Sequence, residues 1–238
     1  MNTLDALYLR GFVQRGDILL FLNGERGILN AGIRYAQRRA LRDLDPTLAP
    51  ATIAAAAQYT HCAQVMGSSL AGNVCWAEQY APHARYRFST ELAAGQQLLV
   101  LRLRGAEPVR LEPVISHWRE VVARKDPYPM RELVYYWLRW VRKTHLALRF
   151  ADAFRDTRHN VCSGEVVCAS QAGAWFAGER PEAWYPARLA LDHVWCEQIT
   201  VITVSSGAAV TTVGTAEPPL PIPGTAAPSP LLGTPLCH

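Results

Sequence analysis

The residue best placed to do chemistry is a cysteine at the entrance of a short helix. It is Cys162, in the run Asn160 to Ser170, NVCSGEVVCAS. A thiol there faces backbone N–H groups without intrahelical partners and the positive end of the helix macrodipole, and both favour the thiolate. A thiolate that attacks a carbonyl also needs a base, and the base needs a group that orients it. His61 in YTHCAQV and Glu78 in CWAEQY supply those two types. Imidazolium formed during acylation needs a counter-charge and a fixed ring, which is the part a carboxylate plays. Gln79 cannot take that part from the same strand, because it faces the other way. His159, three residues before Cys162, is the competing histidine and reads as a loop residue near the helix cap. Cys168 follows Cys162 by six positions, about 240° around a helix at ~100° per residue, so the two cannot share a face or chelate one metal. Cys168 reads as core.

The elements that must position these residues follow from periodicity. Alternation over Tyr59 to Gly67 predicts a strand that begins near His61, with His61, Ala63 and Val65 on one face and Cys62 and Gln64 on the other. Turn residues at Gly67-Ser68-Ser69 and Ala71-Gly72-Asn73 make Val74 to Tyr80 its hairpin partner, which sets Glu78 beside His61. Before this hairpin, Thr3 to Phe12 predicts a short helix capped by Thr3, and Gly16-Asp17 opens the apolar strand ILLFL at Ile18 to Leu22. Asn23-Gly24 turns the chain into a basic surface helix over Gly27 to Leu41. A proline-bounded connection spans Asp45 to Ala57. After the hairpin, Arg85 to Phe88 and Gln97 to Leu103 continue an antiparallel meander. From Pro113 the period becomes helical as far as Lys125, and a longer aromatic-basic helix is predicted between Arg131 and Arg155, with Trp137 and Trp140 packed inward and its arginines solvated. The Cys162 helix should reach about Phe176, Pro181 and Pro186 break the chain, and Cys196 to Ser205 is the last strand.

With 238 residues, half of them apolar, the chain can bury one sizeable core. Positions 1–205 read as one domain with a helical insertion over about 112–158. Past Gly207 there is one charged residue, Glu217, against seven prolines from Pro218 to Pro235, so 206–238 reads as a disordered tail. The net charge is +4, and the 22 arginines are scattered from Arg10 to Arg188 with no basic patch, which argues against nucleic acid. The N-terminus lacks the basic and apolar regions of a signal peptide, and no apolar run approaches the ~20 residues of a membrane span. A soluble, cytoplasmic protein without stable membrane insertion is expected. The six cysteines are irregularly spaced with no CxxC, which indicates neither a zinc site nor a disulfide framework, and no cofactor or metal is expected.

With the elements placed, the chain resembles the permuted papain-like cysteine hydrolases, the YiiX-like and YaeF-like branch related to the NlpC peptidases. The resemblance rests on GDILLF at Gly16 to Phe21, THCAQV at Thr60 to Val65, WAEQYAP at Trp76 to Pro82, VLRL at Val100 to Leu103, VCSGEVV at Val161 to Val167 and WYPARL at Trp184 to Leu189. These are similar, in order, to the family's opening, histidine, acidic and post-hairpin strands, its nucleophile helix and its closing segment. The resemblance implies an α+β, circularly permuted papain-like fold, in which a small antiparallel sheet or barrel packs against the nucleophile helix. It implies nucleophile Cys162, base His61 and acidic member Glu78. Permutation accounts for a cysteine that follows the histidine in the chain. The implied reaction is cleavage of an amide in a peptide, a peptidoglycan stem or a lipid-linked substrate through an acyl-enzyme. The alternatives are a thioesterase or acyltransferase on lipid or acyl-protein substrates, and a non-catalytic binding module.

Overall fold

The structure is a computed structural model, and it describes residues 2–22, 28–129, 161–205 and 212–213. The Asn23-Gly24 turn, the aromatic-basic helix of Arg131 to Arg155 and His159 fall outside those residues. The described chain is mixed α and β. Helix α1 (Thr3–Leu9) precedes strand β1 (Ile18–Leu22), then come α2 (Ile28–Leu44), α3 (Pro50–Ala56), β2 (Tyr59–Ser68), β3 (Val74–Glu78), β4 (Arg85–Phe88) and β5 (Gln97–Leu103). Helices α4 (Pro108–Arg124), α5 (Cys162–Ala172) and α6 (Pro186–Leu191) follow, with β6 (Cys196–Thr203) and the two-residue β7 (Thr212–Val213) closing the order.

All strand pairs are antiparallel, in the order β4-β3-β2-β1-β5-β6-β7. This corrects the simple meander: β2, β3 and β4 follow one another, but β5 lies beside β1 instead of β4. The reason lies in β1, whose five residues are apolar and whose two edges are both paired, to β2 and to β5. Both of its faces are covered as well. Ile18 and Leu20 join Cys62, Ala77, Leu99 and Leu101 in a core beneath α4, α5 and α6. Leu19 and Phe21 join Ala63, Val65, Trp76, Leu98 and Val100 in a second core under α1, which contributes Leu4 and Leu7. An uninterrupted apolar run is what a strand buried on both faces requires.

Buried polar pairs fix the layers. Asp5 of α1 accepts from the Val74 N–H of β3 at 2.8 Å and from the Ser89 hydroxyl. Gln64 on the other face accepts from Trp118 Nε1 of α4 at 2.8 Å and donates to the Gly16 carbonyl at 3.1 Å. Gln37 of α2 donates to the Tyr59 carbonyl at 2.9 Å and accepts from the Ala187 N–H of α6 at 2.9 Å, which holds the start of β2 in place.

Several boundaries differ from the sequence expectation for identifiable reasons. The cap of α1 is Asn2 with Asp5 in a capping box, not Thr3. The connection over Asp45 to Ala57 contains α3, Pro113 lies inside α4, and Pro186 opens α6 instead of only breaking the chain. In α3, α4 and α6 a proline occupies the first helical turn, where its missing N–H has no intrahelical partner to lose. Helix α5 stops at Ala172, with Gly173 as its C-cap. Within the segment read as a tail, Thr212 and Val213 pair with Ile202 and Val201 of β6. Among the described residues, no helix is long and apolar enough to cross a membrane.

Candidate active site

His61 is the third residue of β2, directly across from Phe21 of β1. Its imidazole packs against Phe21 with ring centroids 5.3 Å apart, and the edge-on Tyr80 ring covers it at the same distance. The Nε2 atom lies 2.9 Å from Glu78 Oε2, at the last residue of β3. Glu78 is fully buried and further held by Arg85 Nε, which donates to Oε1 at 2.9 Å, and by Trp76 Nε1, which donates to Oε2 at 3.4 Å. Cys162 is the first residue of α5, buried in the core beneath the helices next to Cys62. His61 and Cys62 are near enough to bear on the ionisation of its sulfur. The three residues singled out from sequence thus stand together, with His61 between the other two.

The electrostatics follow from those contacts. Burial alone would raise the Glu78 carboxyl, but the hydrogen bond and charge of His61, with Arg85 and Arg87 behind it, bring it to about 2 from 4.5. Burial pulls the His61 imidazole down, and the charge and hydrogen bond of Cys162, seconded by Glu78, override it and push it up to about 9 from 6.5. For Cys162 the largest influence is the hydrogen bond from the Cys62 side chain. Burial opposes it, His61 and the Cys62 backbone add to it, and the thiol is held well below its ordinary value. Burial first, then the neighbouring Cys162, push Cys62 far up, so Cys62 stays a protonated donor. The cysteine and the carboxyl are thus shifted toward their ionised forms and the imidazole between them toward its protonated form.

Three participants escaped the sequence reading. Arg85 sits directly across from Glu78 in the β3–β4 pairing and 4.4 Å over the Tyr80 ring. Tyr80 lies just beyond the end of β3, and Cys62 faces away from His61 along the strand. A register for the third hairpin strand would have exposed Arg85. Nothing in the sequence marks Cys62 as the donor to Cys162. A separate cavity of about 190 Å³, lined by Met66, Ser68, Cys75, Tyr86, Ile115 and Arg119, opens at the opposite end of β2 and touches none of the three.

An antiparallel sheet with helices on its faces thus carries a helix-entrance cysteine beside a strand histidine that is in turn bound by a carboxylate. No family model, curated protein or solved structure matches the chain.

Proposed function

We propose that the chain is a cysteine-dependent hydrolase of an amide bond, built on a permuted papain-like fold, with Cys162 as nucleophile, His61 as acid and base and Glu78 as the group that orients His61. The observation that carries this reading is the His61 ring, which is bound by Glu78 through Nε2 and stands beside Cys162. A pre-formed thiolate beside an imidazolium is the resting state such chemistry needs, because the nucleophile requires no further deprotonation.

In the first half-reaction the Cys162 thiolate adds to the substrate carbonyl carbon, and the negative charge moves to the carbonyl oxygen. The Cys162 backbone N–H, at the first turn of α5, donates to that oxygen. The C–N bond then breaks as His61 gives its proton to the departing nitrogen, which leaves as an amine and makes a thioester at Cys162. In the second half, neutral His61 takes a proton from water, hydroxide adds to the thioester, and the thiolate leaves with a carboxylic acid as the other product. Glu78 stabilises the imidazolium of the free enzyme and fixes the ring in both half-reactions by its bond to Nε2. The substrate class follows the resemblance: an amide in a peptide, a peptidoglycan stem or a lipid-linked compound.

The direct test is labelling of the full chain with chloroacetamide and acyl-amide probes, followed by peptide mapping. Labelling confined to Cys162, lost in His61→Ala, and accompanied by amine release from an acyl-amide panel supports the reading. Uniform labelling of the six cysteines, or no amine release from any substrate class, sinks it.

A further inference from the structure

Helix α5 carries a second cluster that this chemistry does not use. Glu165 and Cys168 are three residues apart, hence neighbours on one face. His117 meets them from α4, which packs against α5. The three candidate ligand atoms all lie within 4.8 Å of one another, and His117 Nε2 is 2.6 Å from Glu165 Oε1. Glu165 and Cys168 are buried, at 5% and 4% exposure, while His117 is partly open to solvent.

We propose that His117, Glu165 and Cys168 bind one divalent ion of the zinc class and so clamp α4 to α5. The donor set decides the metal. One imidazole nitrogen, one carboxylate oxygen and one thiolate sulfur suit borderline-soft zinc, whereas calcium and magnesium take oxygen alone. Bonds of ~2.0–2.3 Å in a tetrahedron separate ligand atoms by roughly 3.3–3.8 Å. The cluster therefore needs about 1 Å of side-chain adjustment: Cys168 closes in, and His117 and Glu165 part to admit the ion between them. Partial exposure of His117 leaves an entry path and room for water as a fourth ligand. Binding replaces the His117–Glu165 hydrogen bond and releases the Cys168 thiol proton to solvent, so affinity rises with pH. The site is distinct from Cys162, which lies about 240° around the same helix at ~100° per residue. Irregular cysteine spacing conceals it in the sequence, because its ligands come from two helices, with His117 and Glu165 48 residues apart.

The test uses full-length Cys162→Ala protein, so that the Cys162 thiolate cannot hold the probe metal. Cobalt(II) titration should give a thiolate-to-cobalt charge-transfer band that saturates at one equivalent and is displaced by zinc. Cys168→Ser in that background should abolish the band, and His117→Ala, checked by circular dichroism to be folded, should weaken binding at least about tenfold. Zinc should raise the melting temperature of the parent but not of the His117→Ala protein. Absence of saturable binding, or a band that survives both substitutions, overturns the proposal and leaves His117–Glu165 as a hydrogen bond between helices.

Discussion

Cys162 owes its lowered thiol to two neighbours, Cys62 and His61, of which the Cys62 side chain is the stronger, and this separates reactivity from catalysis. Cys62→Ala removes a donor without touching His61 or Glu78, so the Cys162 thiol should rise. Alkylation rate against pH should show a midpoint shifted upward in Cys62→Ala relative to wild type; an unmoved midpoint would remove Cys62 from the account. Turnover should peak between the lowered Cys162 value and about 9, where His61 loses its proton. Glu78→Gln keeps the shape of the side chain and deletes its charge, one of the influences that raise His61. The basic limb of the profile should therefore move to lower pH and turnover should fall by about 10²- to 10⁴-fold, while Cys162→Ala and His61→Ala abolish acylation. A Glu78→Gln enzyme with full turnover and an unshifted limb would falsify the triad. Stability has the matching sign. Glu78 is depressed from 4.5 to about 2, so its contribution is complete above 4.5 and is lost as pH falls through about 2.

At the scale of elements, what the sequence revealed was whatever carries a strong period. Strand β1 and the hairpin of β2 and β3 were legible because alternation and turn residues coincide, and the faces assigned to His61 and Cys62 are those observed. Helices opened by proline are hard to place, since Pro50 and Pro186 look like breaks until the helix behind them is known, and α4 begins at Pro108, five residues before the period at Pro113 shows it. Sheet order was also hidden, because nothing local tells β5 to pair with β1. The contact between α4 and α5 rests on a close backbone approach: a Cβ at Gly173 would sit 2.5 Å from the Arg110 carbonyl oxygen. Gly173→Ala should cost about 1–3 kcal/mol, read as a lowered denaturation midpoint with unchanged slope. Trp118→Phe should cost a similar 1–3 kcal/mol, because it strands the buried Gln64 Oε1 without its donor. If either variant unfolded at the wild-type midpoint, the packing of α4 described here would be wrong.

The described residues form a sheet with a core on each side, and the candidate site draws on both. Cys162 and Cys62 belong to the core under α4, α5 and α6, whereas the residues packed around His61 and Glu78, Phe21 and Trp76, belong to the core under α1. The short helix α1 is therefore more than an appendage. It buries Leu4 and Leu7 with 0% and 3% exposure, against Trp76 and the outer faces of β1 and β3, and its Asp5 anchors β3. The segment beyond Val213 offers one charge and seven prolines and no apolar period. These two ends of the chain should respond in opposite ways to change. Truncation after Val213 should leave the melting temperature within about 2 °C of wild type, since such a composition cannot supply a core. Leu4→Ala should cost about 2–5 kcal/mol through the cavity it leaves, which for a chain of this size lowers the melting temperature by roughly 5–15 °C. Because Leu4 packs in the core under α1 and is no part of the triad, Leu4→Ala should retain thiol reactivity below its melting point and lose it together with the fold. Calorimetry paired with alkylation at each temperature decides the matter: a stable Leu4→Ala protein, or a large loss of stability on truncation after Val213, would show that the second core is closed by the other end of the chain.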